Sequence, residues 1–378
     1  MRQVPIKDMI ERVPGGMMVV PLLLGTIMNT IDQMHLPFVQ AILAELGAPK
    51  TSAGYYEFLR IGGFTEQLFK TSALTLIALF LFCSGAQMNL RVGGRAMKKG
   101  VILTASKYLT GLSVGVLFGV MFDPMSGFLG LSTLAIIAAM TNGNGGMYAA
   151  LTAQYGNRSD TAAVAVLSLN DGPFFTLMSL GLLGSRFPVI AFIAVLLPIA
   201  LGMLLGNLDD KMRAFLKPGE MLPVPFFAFS LGAGMNLAVF FNPDVVAAGL
   251  LLGVMTTVLT GTVGALVFRY IARERSVIAP VAEATTAGNA VGTPAAIAAA
   301  ATIAVSSGMM TAAEAQAYHD LVATATLQIS ISTISTALMG PFAVIMIDRW
   351  QRKRGVNGRI EEGEEDDVAA SAETVLPN

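Results

Sequence analysis

The chain is poor in cysteine, histidine, tryptophan and charge: its 378 residues include one Cys, two His and one Trp, and 13% are Asp, Glu, Lys or Arg. A lone cysteine, Cys83, cannot close an internal disulfide, and with two histidines it offers no metal or redox cluster. It reads as a small buried thiol, and no cofactor is expected. The shortage of charge excludes more. With 54% hydrophobic residues and a mean hydropathy of +0.66, the chain lacks the polar surface that a soluble globule of this length needs. A net charge of −1 gives no footing for nucleic acid, so the expected partners are the lipid bilayer and small solutes.

What is present is long apolar sequence. Residues 13–31, 71–90, 187–208 and 321–347 contain no Asp, Glu, Lys or Arg, and each approaches or exceeds the roughly 20 residues that span a bilayer as a helix. Closed barrels would show short alternating segments instead. The expected fold class is therefore an all-α integral membrane protein. Apolar runs between charged or Pro/Gly-rich breaks give ten spans, near 14–31, 71–90, 100–121, 128–153, 161–184, 187–207, 221–240, 245–268, 276–304 and 318–347. With both termini cytoplasmic, 19 of the 24 Lys and Arg fall in inner segments, as the positive-inside bias requires. The first span has no small-residue cleavage site before it and reads as uncleaved. After Trp350, the segment RIEEGEEDDVAASAETVLPN is acidic and is expected as a solvated tail.

Two stretches do not look like ordinary spans. TNGNGGMYAA at 141–150 follows an apolar run, yet it carries the residues least suited to a helix. FLFCSGAQMNL at 80–90 matches FAFSLGAGMNL at 227–237 in seven of eleven positions, at an offset of 147. The same offset carries Asn142 onto Asn289 and Gly145 onto Gly292, so a second broken region, EATTAGNAVGTPAA, occupies the equivalent place. Upstream, PLLLG at 21–25 resembles PIALG at 198–202 at an offset of 177. Each half then holds five spans, and an odd number inverts the second half. The expectation is two inverted repeats, 1–186 and 187–350, followed by the tail 351–378. In that architecture, discontinuous helices meet near the midplane and bind solute. Pro294 prevents simple helical continuation in the second break.

Ionisable residues inside spans are functional candidates. Asp171 stands alone between Thr161 and Ser185, flanked by Asn170 and Gly172-Pro173. Glu283 lies one turn before the second break, and His319 and Asp320 open the last span. These four are the candidates for proton coupling, since burial favours the neutral form of a carboxylate and lets it take up a proton on one side and release it on the other. Lys107, in the third span, is open to three readings: snorkelling, pairing with Asp171, or holding a substrate carboxylate. Asn142, Asn144, Asn289, Thr285 and Thr286 supply amide and hydroxyl groups for a hydroxylated solute, with Asn89 and Asn236 facing them from the repeated Met-Asn pairs.

VPGGMMVVPLLLG, SGAQMNLR, AAMTNGNGGMYAALTAQYG, LSLNDGPFFTLM and EATTAGNAVGTPAA together resemble the bacterial 2-keto-3-deoxygluconate permease family, from about residue 5 to residue 350. The resemblance implies a bacterial inner-membrane symporter that imports this anionic sugar acid with protons. It also implies kinship with bile-acid and arsenite transporters, whose ten-helix inverted-repeat fold separates a panel (spans 1, 2, 6 and 7) from a core (spans 3–5 and 8–10) with crossed helices 4 and 9. Sodium-binding members of that group place a Glu shortly before an Asn on the ninth helix. Glu283 and Asn289 are similar, with a different spacing, so sodium stays open beside protons, as does a homo-oligomer. The rival readings are weaker. GLSVG at 111–115 fits a nucleophile elbow in letters only, because Ser113 lies within a continuous apolar helix. A channel could not concentrate its solute.

Overall fold

In the computed structural model, which describes residues 4–13, 16–88, 94–167, 170 and 172–361, the apolar runs are helices, and no strand occurs among the described residues. Hydrocarbon offers no water to backbone N–H and C=O groups, so each apolar run pairs them internally by coiling. The principal helices are α1 (Gly16–Gln33), α2 (Ala73–Gln87), α3 (Gly94–Met121), α4 (Thr133–Thr141), α5 (Gly145–Tyr155), α6 (Phe174–Leu182), α7 (Val189–Leu208), α8 (Val224–Gly232), α9 (Pro243–Ala272), α10 (Ile278–Glu283), α11 (Thr293–Ser306) and α12 (Ala312–Arg352).

Five helices are long and apolar enough to cross a membrane: α3, α7, α9, α10 with α11 taken together, and α12. Two bent pairs raise the number to seven, Gly16–Gln33 with Pro37–Glu45 at 89° and Gly63–Phe69 with Ala73–Gln87 at 61°. The protein is a multi-pass membrane protein. The sequence predicts ten spans, and the difference lies in three runs that fold as short pieces. Run 128–153 splits into α4 and α5, of nine and eleven residues, while α6 and α8 have nine each. At about 1.5 Å per residue, none of these alone covers a 30 Å hydrocarbon layer.

The long helices also extend beyond the apolar runs. α3 starts at Gly94 rather than near 100, which places Lys99 on the helix. Its ammonium is buried and held 2.6 Å from Asp160 Oδ1 and 3.4 Å from Glu274 Oε2. Residues 32–70 hold two α-helices and a short 3-10 helix, Phe58–Arg60, and the Asp32 carboxylate accepts bonds from the Phe58 and Leu59 amides at 2.8 and 2.9 Å. Residues 351–361 are placed against the ends of α5 and α10, with Gly358 close to Tyr155 O, Ser276 and Ile278. The rest of the acidic tail lies outside the described residues.

One group of helices packs backbone to backbone. A methyl on Gly25 of α1 would lie 2.1 Å from Phe229 O of α8, and one on Gly232 would lie 1.9 Å from Leu22 O. In the pairing of α7 with α2, Gly202 approaches Phe82 O at 1.9 Å and Gly85 approaches Ile199 O at 2.3 Å on the same measure. Only glycine permits such contact. The two sets correspond residue by residue: Phe82 with Phe229 and Gly85 with Gly232 at offset 147, Gly25 with Gly202 and Leu22 with Ile199 at offset 177. Polar clamps match too. Lys70 Nζ donates to Ala233 O (2.6 Å) and Asn29 Oδ1 (2.5 Å), while Asn29 donates to Met235 O (2.8 Å). In the other half Arg213 donates to Ala86 O and Asn207 Oδ1 (both 3.3 Å), and Asn207 donates to Met88 O (2.8 Å). The repeated Gly-Ala-x-Met-Asn letters thus end α2 and α8 on carbonyls capped by a cation and an amide.

Candidate substrate and proton site

The two sequence breaks meet. After α4 the backbone is extended at Asn142 (φ −99°, ψ 118°), and α5 begins behind Asn144, whose side chain caps Met147 N at 3.0 Å. After α10 the chain is extended at Ala287 (φ −68°, ψ 144°), makes a short 3-10 turn over Gly288–Gly292 and resumes as α11 with Pro294 in its first turn. Breaking a helix orphans backbone groups, which must be satisfied when buried. Here each break satisfies groups of the other. Ala287 N donates to Asn142 O (3.1 Å), and Asn144 N donates to Thr285 Oγ1 (3.2 Å).

Helix α12 supplies further partners from an uncharged stretch. Thr336 Oγ1 accepts from Thr286 N (3.0 Å), Ser332 Oγ shares a hydrogen bond with Thr286 Oγ1 (2.7 Å), and Thr333 Oγ1 donates to Ala287 O (3.2 Å). All three are fully buried or nearly so. They are not among the candidates named from the sequence. Their signal is Ser332, Thr333 and Thr336 at helical spacing on one face of an apolar run.

Lys107 is the fourteenth residue of α3, midway along it, and 3% exposed. Its ammonium donates to the carbonyls of Glu283 and of Thr285 (2.7 Å) and lies 3.8 Å from Glu283 Oε1. A cation thus sits on the C-terminal end of half-helix α10, where the carbonyl dipoles converge. The carboxylate beside Lys107 is thus that of Glu283, a pairing outside the three readings of the sequence; Asp171 lies outside the described residues. The carboxylate lies against the first break: a methyl on Gly143 would be 1.9 Å from Glu283 Oε1. A cavity of about 10 Å³, room for one water, lies beside Lys107 and Glu283, lined also by Ser106, Thr260 and Pro280.

Amide groups surround the crossing. Asn142 is fully buried. Its Nδ2 donates to Ala138 O (3.1 Å) and points to Gly172 O (3.5 Å), and its Oδ1 has no hydrogen-bond partner among the described residues. The contact brings Gly172 to the crossing. Asn170, two residues before Gly172 in sequence, is 1% exposed, and neither of its amide atoms has a partner among the described residues. A buried amide left unsatisfied costs about 1–3 kcal/mol and marks a place where a ligand or water completes the bonding.

The other sequence candidates are distributed as follows. Asn289 stands in the 3-10 turn of the second break, half-buried. Asn236 is half-buried beyond the end of α8, donating to Gln33 Oε1 (2.6 Å) and accepting from Ala238 N (2.9 Å). Asn89 and Asp171 lie outside the described residues. His319 and Asp320 are exposed in the first turns of α12, bonded to Thr302 and Gln316. They stand about 20 Å along the helix from Ser332 at ~1.5 Å per residue.

A family model described as 2-keto-3-deoxygluconate permease matches residues 7–353. The chain is 41% identical over 358 residues to 2-keto-3-deoxygluconate permease 1 of Salmonella typhimurium, covering 92% of this chain and 97% of that protein. It is 37% identical over 358 residues to the 2-keto-3-deoxygluconate permease of Bacillus subtilis, covering 92% and 96%. Among solved structures, a sodium proton antiporter from Methanocaldococcus jannaschii is similar with a TM-score of 0.52 at 16% identity, over 89% of this chain and 96% of that one, a likeness of fold alone. The length of the family match and the identity to its members lead to one conclusion: the chain belongs to the 2-keto-3-deoxygluconate permease family.

Proposed function

We propose that the chain is a secondary active transporter, not an enzyme, that imports 2-keto-3-deoxygluconate across a bacterial inner membrane by proton symport. Its relatives bear the name of that substrate. In this reading ten spans form two inverted repeats, 1–186 and 187–350, with both termini cytoplasmic. The matched glycine contacts and clamps support the repeat. Helices α1, α2, α7 and α8 form a panel, and the others form a core that moves against it in alternating access.

The observation that carries the proposal is the buried Lys107–Glu283 pair at the crossing. An empty, deprotonated site is neutral, because the ammonium balances the carboxylate. When Glu283 takes a proton, Lys107 loses its counter-ion, and the carboxylate of the sugar acid replaces it. The loaded site is again neutral, which avoids moving an uncompensated charge through a low dielectric. The amides of Asn142, Asn144, Asn170 and Asn289 with Thr285 and Thr286 receive the hydroxyls and the ketone. Protonation and anion binding are thereby coupled one to one.

A sodium-coupled carrier of another small organic anion is the reading this must beat. Oxygen ligands at the crossing suit sodium, but an ammonium 3.8 Å from Glu283 Oε1 already occupies the cation's place and repels a second one. The test is uptake of labelled 2-keto-3-deoxygluconate into proteoliposomes without sodium. The proposal expects accumulation driven by an inward proton gradient, abolished by a protonophore and indifferent to an imposed membrane potential. Uptake that requires sodium, or no uptake of this acid in either ion, would overturn it.

A further inference from the structure

Away from the crossing, a groove of about 730 Å³ opens between α9, α10 and α12. α9 has π-helical turns over Thr256–Thr260 and Phe268–Ala272, and such bulges widen a helix and often mark sites. The groove's deeper part is apolar, with Val258, Leu266, Ala343 and Ile347 among its walls. Its mouth carries Arg269, Arg275, Trp350 and Arg354, and no Asp or Glu lines it. Trp350 and Tyr270 at that level are the aromatic residues expected at a bilayer interface, on the side where Lys and Arg accumulate.

The guanidinium groups are held in position. Arg269 Nη1 donates to Arg275 O at 3.0 Å, and the Arg354 guanidinium lies 4.1 Å from the centre of the Trp350 ring. Neither Arg269 nor Arg354 makes an ion pair with a carboxylate of the described residues. Val258, Leu266 and Tyr270 are 53%, 52% and 74% exposed, so the groove faces the bilayer rather than the interior of the bundle. A ligand entering from there has an apolar body and an anionic head.

We propose that this groove is a site for an anionic phospholipid, its phosphate held by Arg269 and Arg354 and an acyl chain laid along the π-helical face of α9. Charge complementarity selects the head, and the apolar walls select a lipid over the chain's own acidic tail or free phosphate. The bound lipid braces the inner end of α10, the half-helix that ends in Glu283.

The test uses the full chain, purified and delipidated in detergent, then given phosphatidylglycerol or phosphatidylcholine with identical acyl chains and weighed by native mass spectrometry. The expected result is one retained phosphatidylglycerol with a preference of about tenfold or more, as two arginines near a phosphate supply. The paired substitution Arg269→Ala and Arg354→Ala removes the preference, and Thr262→Trp, on the exposed groove wall, lowers retention of the lipid itself. Lys211→Ala, an exposed cation elsewhere, leaves both unchanged. Equal retention of the two lipids, or a preference that survives the arginine substitutions, overturns the proposal. So does inorganic phosphate that displaces the lipid completely, or a preference seen only after deletion of residues 362–378, which would assign the groove to the tail.

Discussion

The two breaks occupy matched positions, yet they are built differently. At the first, the carbonyl of Ala138 is capped by the amide of Asn142, four residues on in the same segment, and the region carries no charge among its described residues. At the second, the carbonyls of Glu283 and Thr285 are capped by an ammonium from α3, with a carboxylate beside it. The counterparts of Glu283, Lys107 and Gly143 at offset 147 are Ile136, Val254 and Ala290. The glycine contacts of α1 with α8 recur between α7 and α2, whereas the chemistry of the crossing does not. On the proposed reading, the repeat accounts for the frame and the Lys107–Glu283 pair for what it transports.

The sharpest way to break this asymmetry is to remove its cation. Lys107→Met leaves the Glu283 carboxylate buried beside apolar groups and should cost ~3–5 kcal/mol of stability and at least about a hundredfold in uptake. Adding Glu283→Gln should restore thermal stability and leave uptake lost. Thermal shift and uptake on the same preparations check both. If the double variant transported at the normal rate, the pair would be structural.

Asn142→Ala comes next and is expected to abolish uptake while folded protein stays in the membrane. It removes the buried Oδ1 that has no partner among the described residues, together with one hydrogen bond worth about 1 kcal/mol. Retained full uptake would take Asn142 out of the site. A step smaller, Gly143→Ala gives the first break the residue that the second already has at Ala290. Its methyl would lie 1.9 Å from Glu283 Oε1, so the carboxylate must shift. Uptake should fall about tenfold, a ~1.4 kcal/mol misplacement, with folding little affected. The smallest effect is expected from His319→Ala and Asp320→Asn, within about twofold, because they stand ~20 Å from the crossing. A large loss there would move the proton path to the outer end of α12.

Much of this was legible in the sequence, for physical reasons. Asn and Gly inside apolar runs, twice at one offset, announced the broken helices, because few other residues leave a helix so readily. Glu283 stood out because a carboxylate in an uncharged span needs a reason. The partner of Lys107 was not legible, since the pair joins positions 176 residues apart and no periodicity links them. The hydroxyls of Ser332, Thr333 and Thr336 were hidden by their small size, which lets them pass in an apolar run until a backbone donor or acceptor lies opposite. The Met-Asn repeat was visible, but its use was not. The carbonyls of Met88 and Met235 in that repeat accept capping amides, a role its letters do not announce.

The measurement closest to the central claim is transport by Glu283→Gln in proteoliposomes, comparing accumulation against a gradient with exchange of labelled for unlabelled substrate at equilibrium. Gln mimics the protonated, loaded state, so exchange should persist while proton-driven accumulation disappears. Accumulation that stayed at the normal level and sensitive to a protonophore would place the coupled proton elsewhere and contradict the account.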